Sequence, residues 1–125
     1  MEQEQLMQIQ MMQQEAQQLE QQLQMIDQHL AEMQELSEGL EELDKSNEKE
    51  ILSSIGKGIY IPAEIKSKEL RVEVGKGNFV TKSIPETKKV INGQIEKLNS
   101  VKTQINERVN QLQEEMNMLV NNIQK

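Results

Sequence analysis

Two copies of the tripeptide Gly-Lys-Gly, at 56–58 and 75–77, are the first residues in this chain whose types suggest chemistry. Glycines around a lysine can cradle a phosphate, with backbone N–H groups turned toward the anion. A dinucleotide loop, however, needs G-x-G-x-x-G opening a helix, and a P-loop needs four residues between its first Gly and Gly-Lys-Ser/Thr. Each run here has two glycines and enters a stretch of strand character, so both read as turns between strands. His29 is the single histidine and there is no cysteine, so no metal-binding arrangement forms around it and a solvated side chain is expected. Glu41, Glu42 and Asp44 are helix-surface carboxylates with no readable pocket to raise a pKa or exclude water. No catalytic residue, cofactor or metal site is assigned, and an enzyme is not expected.

What remains is apolar recognition. Six of the eight methionines lie near the two chain ends: Met1, Met7, Met11 and Met12 at one, Met116 and Met118 at the other. Methionine is unbranched and flexible, and it adapts to varied apolar surfaces. Leu6, Met7, Met11, Met118 and Val120 widen the apolar surface there beyond what a two-stranded seam requires, and Leu119 and Ile123 lie on the seam near its frayed end. These seven residues are the candidate surface for holding an apolar client. Met12 and Met116 are read as seam residues that border it. The plainer reading is a core stripe with ordinary end fraying.

The elements that carry these ends are legible from periodicity. Apolar side chains recur at Ile9, Met12, Ala16, Leu19, Leu23, Ile26, Leu30 and Met33 in steps of three and four; Ser37 breaks the series and Leu40 resumes it. Leu36 and Leu43 sit beside this seam. Gln and Glu fill the intervening positions and favour helix without tertiary help. A second series runs Ile91, Ile95, Leu98, Lys102, Ile105, Val109, Leu112, Met116, Leu119 and Ile123. Lys102 alone departs, and its stem can snorkel outward while Val101 shares the contact. Both are heptad patterns of a left-handed coiled coil. The spacing predicts helices over about 3–46 and 85–123, about 65 and 58 Å long. Ser83 and Glu86 have capping-box spacing at the second start, with Pro85 in the first turn. Antiparallel pairing within one chain closes both stripes and sets Leu23 level with about residue 108, nearest Val109 on the seam. Separate helices meeting other chains are the alternative.

Between the helices the period changes to two. Leu70, Val72 and Val74 alternate with Arg71 and Glu73, and Ile59 and Ile61 flank Tyr60. The segment repeats itself with an offset of nineteen residues: Ile55, Gly56, Gly58 and Tyr60 return as Val74, Gly75, Gly77 and Phe79. Each copy reads as a hairpin, over about 51–62 and 70–82. Two short hairpins cannot support themselves, and their open edges invite pairing with other chains. No proline or bulge signal blocks all of these edges. The expected fold is α+β: a long antiparallel coiled-coil hairpin joined by two central β-hairpins that assemble with other subunits into an oligomeric β-barrel body. The expected domains are a first coiled-coil helix over 1–47, a double-hairpin assembly module over 48–84, and a second coiled-coil helix over 85–125. Tyr60 and Phe79 are expected to pack in the barrel.

Composition agrees with a thin seam rather than a thick core. Apolar residues are 35%, with one Phe, one Tyr and no Trp, so large core-filling side chains are scarce. The net charge of -7 is uneven, with residues 1–50 strongly acidic and residues 51–90 mildly basic. An acidic arm beside a mildly basic centre argues against dedicated nucleic-acid binding, which needs clustered positive charge. The chain shows no secretory signal, and no window approaches eighteen apolar residues, so no membrane span is expected.

The order of a long helix, "IGKGIYIPAEIKSKELRVEVGKGNFVTKSIPE" and another long helix resembles the alpha-class subunit of prefoldin, the GimC family of co-chaperones, in its archaeal form. The resemblance runs from Gln5 to Gln124, and the duplicated hairpin is its specific part, since the beta class has one. The family often has an aromatic at the position before Phe79; this chain has Asn78. The resemblance implies a hexamer of two alpha with four beta-class subunits, without a cofactor. It also implies ATP-independent capture of unfolded or nascent polypeptides at coiled-coil ends, and delivery to a group II chaperonin in the cytoplasm. A coiled-coil scaffold that binds one defined partner along its flanks is the alternative function.

Overall fold

A computed structural model describes residues 2–124, the side chain of Gln124 excepted. Helix α1 spans Glu2–Lys45, and four strands follow: β1 (Glu50–Gly56), β2 (Ile59–Glu64), β3 (Leu70–Gly75) and β4 (Asn78–Lys82). Helix α2 spans Ile84–Gln124. The helices begin and end within a residue of where the heptads place them. The chain divides into two compact units. One holds α1 up to Met33 together with α2 from Gln94; the other holds Gln34–Gly93.

In the first unit the helix segments pair antiparallel. Asp27 Oδ1 meets Lys102 Nζ at 2.6 Å, and further toward the start of α1, Glu15 meets Arg108 at 3.0 Å. Leu112 is wholly buried and Leu30 nearly so, while the other heptad positions are partly covered. Lys102 behaves differently from the sequence expectation. Its ammonium reaches Asp27 of the opposite helix, and Val101 stays largely exposed. A cationic head half in solvent needs a counter-charge more than its stem needs apolar company. The register also differs from the sequence estimate. Leu23 lies between Glu15 and Asp27, so it faces the stretch between Lys102 and Arg108, where Ile105 is the seam residue. The reason is that α1 ends and α2 starts one residue earlier than the period suggests, which moves the level by two residues.

In the second unit the helix segments also run antiparallel. Ser37 Oγ donates to Asn92 Oδ1 at 3.3 Å, and Glu41 meets Lys88 at 3.7 Å. The polar break at Ser37 therefore finds a polar partner on the facing helix, at the exposed border of the stripe. Leu40, Ile84 and Ile91 form the buried part. The Ser83 hydroxyl caps α2 by accepting from the Glu86 N–H at 3.2 Å. The Ser83 carbonyl accepts from the Thr87 hydroxyl at 2.9 Å. Gly39 approaches nothing within 4 Å.

The strands form two separate antiparallel two-stranded sheets, β1–β2 and β3–β4. Both contain an irregularity beside the turn, between Ser54 and Gly56 and between Glu73 and Gly75, which the sequence did not signal. The connections on either side of the first sheet lie together: Ile65 N–H donates to the Lys49 carbonyl at 2.6 Å, and Lys68 Nζ donates to the Asp44 carbonyl at 2.7 Å.

Candidate functional site

The end of the helix pair in the first unit is built from the start of α1 and the close of α2. Heptad packing spends only the seam positions there, so the apolar residues beside them stay in solvent. Met7 is 63% exposed, Met11 68%, Met118 66% and Leu6 52%; Val120 is also exposed. Leu119 and Ile123 are half-buried on the seam. Met1 lies outside the described residues.

Two shallow grooves flank the seam at this end. Met11 and Met12 line one, together with Gln8, Gln14, Gln18 and the Glu15–Arg108 pair. Ile9, Met116 and Val120 line the other, with Gln13, Gln113 and Asn117. The guanidinium of Arg108 donates from Nε and from its terminal amine to both Glu15 oxygens, at 3.0 and 3.3 Å. Glu15 thereby raises the Arg108 pKa, first by these hydrogen bonds and then by its charge. The pair links the two helices at the level of this groove. Sequence reasoning placed Met12 and Met116 in the seam; they also line the grooves, as does Ile9. A seam residue with a long side chain reaches the groove beside it, and period alone does not reveal that.

The second candidate surface is the pair of hairpins. Ile51, Leu52, Ile55, Ile59, Tyr60 and Ile61 are all exposed on the first, and Val74, Phe79 and Val80 on the second. Leu70 and Val72 are partly covered. Tyr60 pairs across from Ser54, and Phe79 from Glu73. The repeated tripeptides make different turns. In the first, Gly56, Lys57 and Gly58 all have positive φ, at 115°, 51° and 79°; in the second only Gly77 does, at 77°. The Glu73 carboxylate accepts from the Gly77 N–H at 3.2 Å. The position equivalent to Glu73 is Ser54, whose side chain is shorter. Two small sheets that expose apolar side chains and open strand edges are surfaces of the kind that can pair with other chains.

A profile of the prefoldin subunit family matches residues 12–125. The chain belongs to the prefoldin family. Among solved structures, a filamentous PFD from Methanocaldococcus jannaschii, determined by cryo-EM, superposes with a TM-score of 0.76 at 16% sequence identity. That match covers 90% of this chain and 95% of the other. Comparison with curated proteins gives no match. Prefoldins are chaperone-type, non-enzymatic subunits that assemble with one another. Among the described residues no helix is long and apolar enough to cross a membrane.

Proposed function

We propose that the chain is an alpha-class prefoldin subunit that captures unfolded or nascent polypeptides at the ends of its coiled coils without ATP. The observation that carries this reading is the exposed apolar group Leu6, Met7, Met11, Met118 and Val120 beside two open grooves, on a helix pair whose seam is already closed without them. Contiguous exposed apolar surface is what an unfolded chain offers and what it binds. Flexible methionines accept many sequences. Leu119 and Ile123 supply the seam beneath.

Two hairpins per chain support the alpha class. The hairpins, through Ile55, Tyr60, Leu70, Val72, Val74 and Phe79 with turns at Gly56, Gly58, Gly75 and Gly77, pair edge to edge with beta-class subunits in a β-barrel body. Two alpha and four beta subunits make the hexamer, which hands its client to a group II chaperonin in the cytoplasm. The test replaces Met7, Met11, Met118 and Val120 together by Ser or Gln. Suppression of aggregation falls for several clients, while assembly mass and helicity hold. Full activity with every client would move the binding site elsewhere.

A second reading, a scaffold for one defined partner, draws on exposed apolar residues away from that end. Met25, Val101, Leu36 and Val90 stand off the seams on the helix flanks. Binding of a single partner that survives the quadruple substitution and is lost on replacing these four favours the scaffold.

A further inference from the structure

Among the described residues the methionines are either exposed or half-buried. Met7, Met11 and Met118 stand in solvent at one end of the helix pair in the first unit, while Met12, Met33 and Met116 are half-buried on the seam. Leu6 and Val120, their apolar neighbours, offer only C–H bonds. A thioether adds a nucleophilic lone pair to an otherwise inert surface, and solvent exposure gives an oxidant access to it. We propose that Met7, Met11 and Met118 form a reversible oxidation site at which a peroxide switches apolar capture off. The inference rests on the reading of this end as the client-binding surface.

The chemistry balances without help from any other group. A sulfur lone pair attacks one oxygen of hydrogen peroxide, an S–O bond forms as the O–O bond breaks, and the proton of the sulfur-bound hydroxyl passes to the departing hydroxide, leaving sulfoxide and water. Sulfur is oxidised by two electrons and the peroxide is reduced by two. The product sulfoxide is polar and chiral, so a flexible apolar contact becomes a hydrated dipole. Three such changes at this end of the helix pair diminish the exposed apolar surface that a client recognises. None of the three sulfurs lies on a heptad position, so helix pairing is left intact. Met25 provides an internal comparison. It is 71% exposed and therefore open to the same oxidant, but it stands fourteen residues beyond Met11, about 21 Å along the helix.

The experiment treats the assembled protein with graded hydrogen peroxide. It maps oxygen incorporation by peptide mass spectrometry and measures suppression of aggregation of a denatured client. Met7, Met11, Met25 and Met118 take up oxygen before Met12, Met33 and Met116. Capture falls to the level of the Ser/Gln variant at unchanged assembly mass, and methionine sulfoxide reductases acting on both epimers restore it. The Met7→Leu, Met11→Leu, Met118→Leu variant keeps after peroxide whatever level of capture it shows untreated, whereas Met25→Leu loses capture on oxidation as the wild type does. Undiminished capture by fully oxidised wild type overturns the proposal, and so does a loss that the triple leucine variant suffers equally. Full capture by the unoxidised Ser/Gln variant removes the client-binding reading and this inference together. Loss in that variant with an oxidation-indifferent wild type removes this inference alone.

Discussion

The helix pair and the hairpins solve the same problem in opposite ways. Each must bury an apolar stripe and satisfy its backbone. The helices satisfy every interior N–H within themselves and close their stripe on each other, from the wholly buried Leu112 to the polar matches Asp27–Lys102 and Glu15–Arg108. The hairpins satisfy only the strand edges that face each other and leave Ile51, Leu52, Tyr60, Val74 and Phe79 in solvent. The helices therefore close their stripe within one chain, whereas the sheets leave theirs open. Exposure on a finished element and exposure on an unfinished one mean different things. On the helices, extra apolar surface at one end is available for transient contacts. On the sheets it stands beside open strand edges, a combination that favours pairing with another chain.

The largest effect that can break this comparison is on assembly. Replacing residues 51–82 by a short flexible linker removes every open edge and leaves both helices. Native mass spectrometry with a beta-class partner should show loss of the oligomer, while circular dichroism retains a strong helical signal. An unchanged assembly mass would show that the helices, not the sheets, hold subunits together.

A smaller effect separates seam from flank. Leu112→Ala empties a wholly buried position, at a cost of about 2–3 kcal/mol, the low end for a leucine truncation because a narrow seam relaxes toward solvent. Leu36→Ala, at a half-exposed flank position, changes stability by about 0.5 kcal/mol or less. Thermal melts of the helical signal measure both. Equal losses would mean that Leu36 is covered in the assembly and that the flank is a partner surface.

These contrasts mark how far the sequence could be read. The heptad rulers found the buried Leu30, Leu40, Ile91 and Leu112, because a 3.5-residue period records which face a helix buries; they missed the buried Ile84, which opens α2 before the second ruler begins. The cap at Ser83 was legible because it is local. The partners of Lys102 and Ser37 were not, since Asp27 and Asn92 lie far along the chain and only the fold sets their level. The two Gly-Lys-Gly turns look identical in sequence and differ in backbone, because what distinguishes them sits outside the tripeptide, at Ser54 and Glu73. The methionine cluster was visible as composition. The grooves beside it were not, as they arise from the gap between two packed cylinders.

Glycine in a finished helix gives a third, milder test. Gly39 and Gly93 lie within α1 and α2, and a methyl group at either meets nothing within 4 Å. Alanine at each should stabilise the second unit by up to about 1 kcal/mol through helix propensity alone. Chemical denaturation of the single variants reads this directly. A destabilised Gly39→Ala would show that another subunit approaches the backbone there.

The smallest effect is electrostatic and sits on the same helices. Glu41 pairs with Lys45 one turn on, at 3.0 Å, and with Lys88 of the facing helix at 3.7 Å. The Lys45 hydrogen bond and charge, and then the Lys88 charge, hold its carboxyl below the ordinary value of 4.5. A carboxylate whose folded pKa is depressed adds stability above its unfolded pKa and loses it as the pH falls through the folded value. Wild type should therefore melt slightly above Glu41→Gln at neutral pH, with the gap narrowing below pH 4.5 and closing once the folded carboxyl is protonated. Because the pair is exposed, added salt should shrink the same gap at neutral pH. Comparison with Lys45→Gln divides the effect. Lys45 bridges one turn within α1, whereas Lys88 bridges the two helices, so a gap that survives Lys45→Gln is the part that ties α1 to α2. A gap that vanishes with Lys45→Gln would place the whole effect inside one helix and leave the pairing of the two helices to Leu40, Ile84 and Ile91.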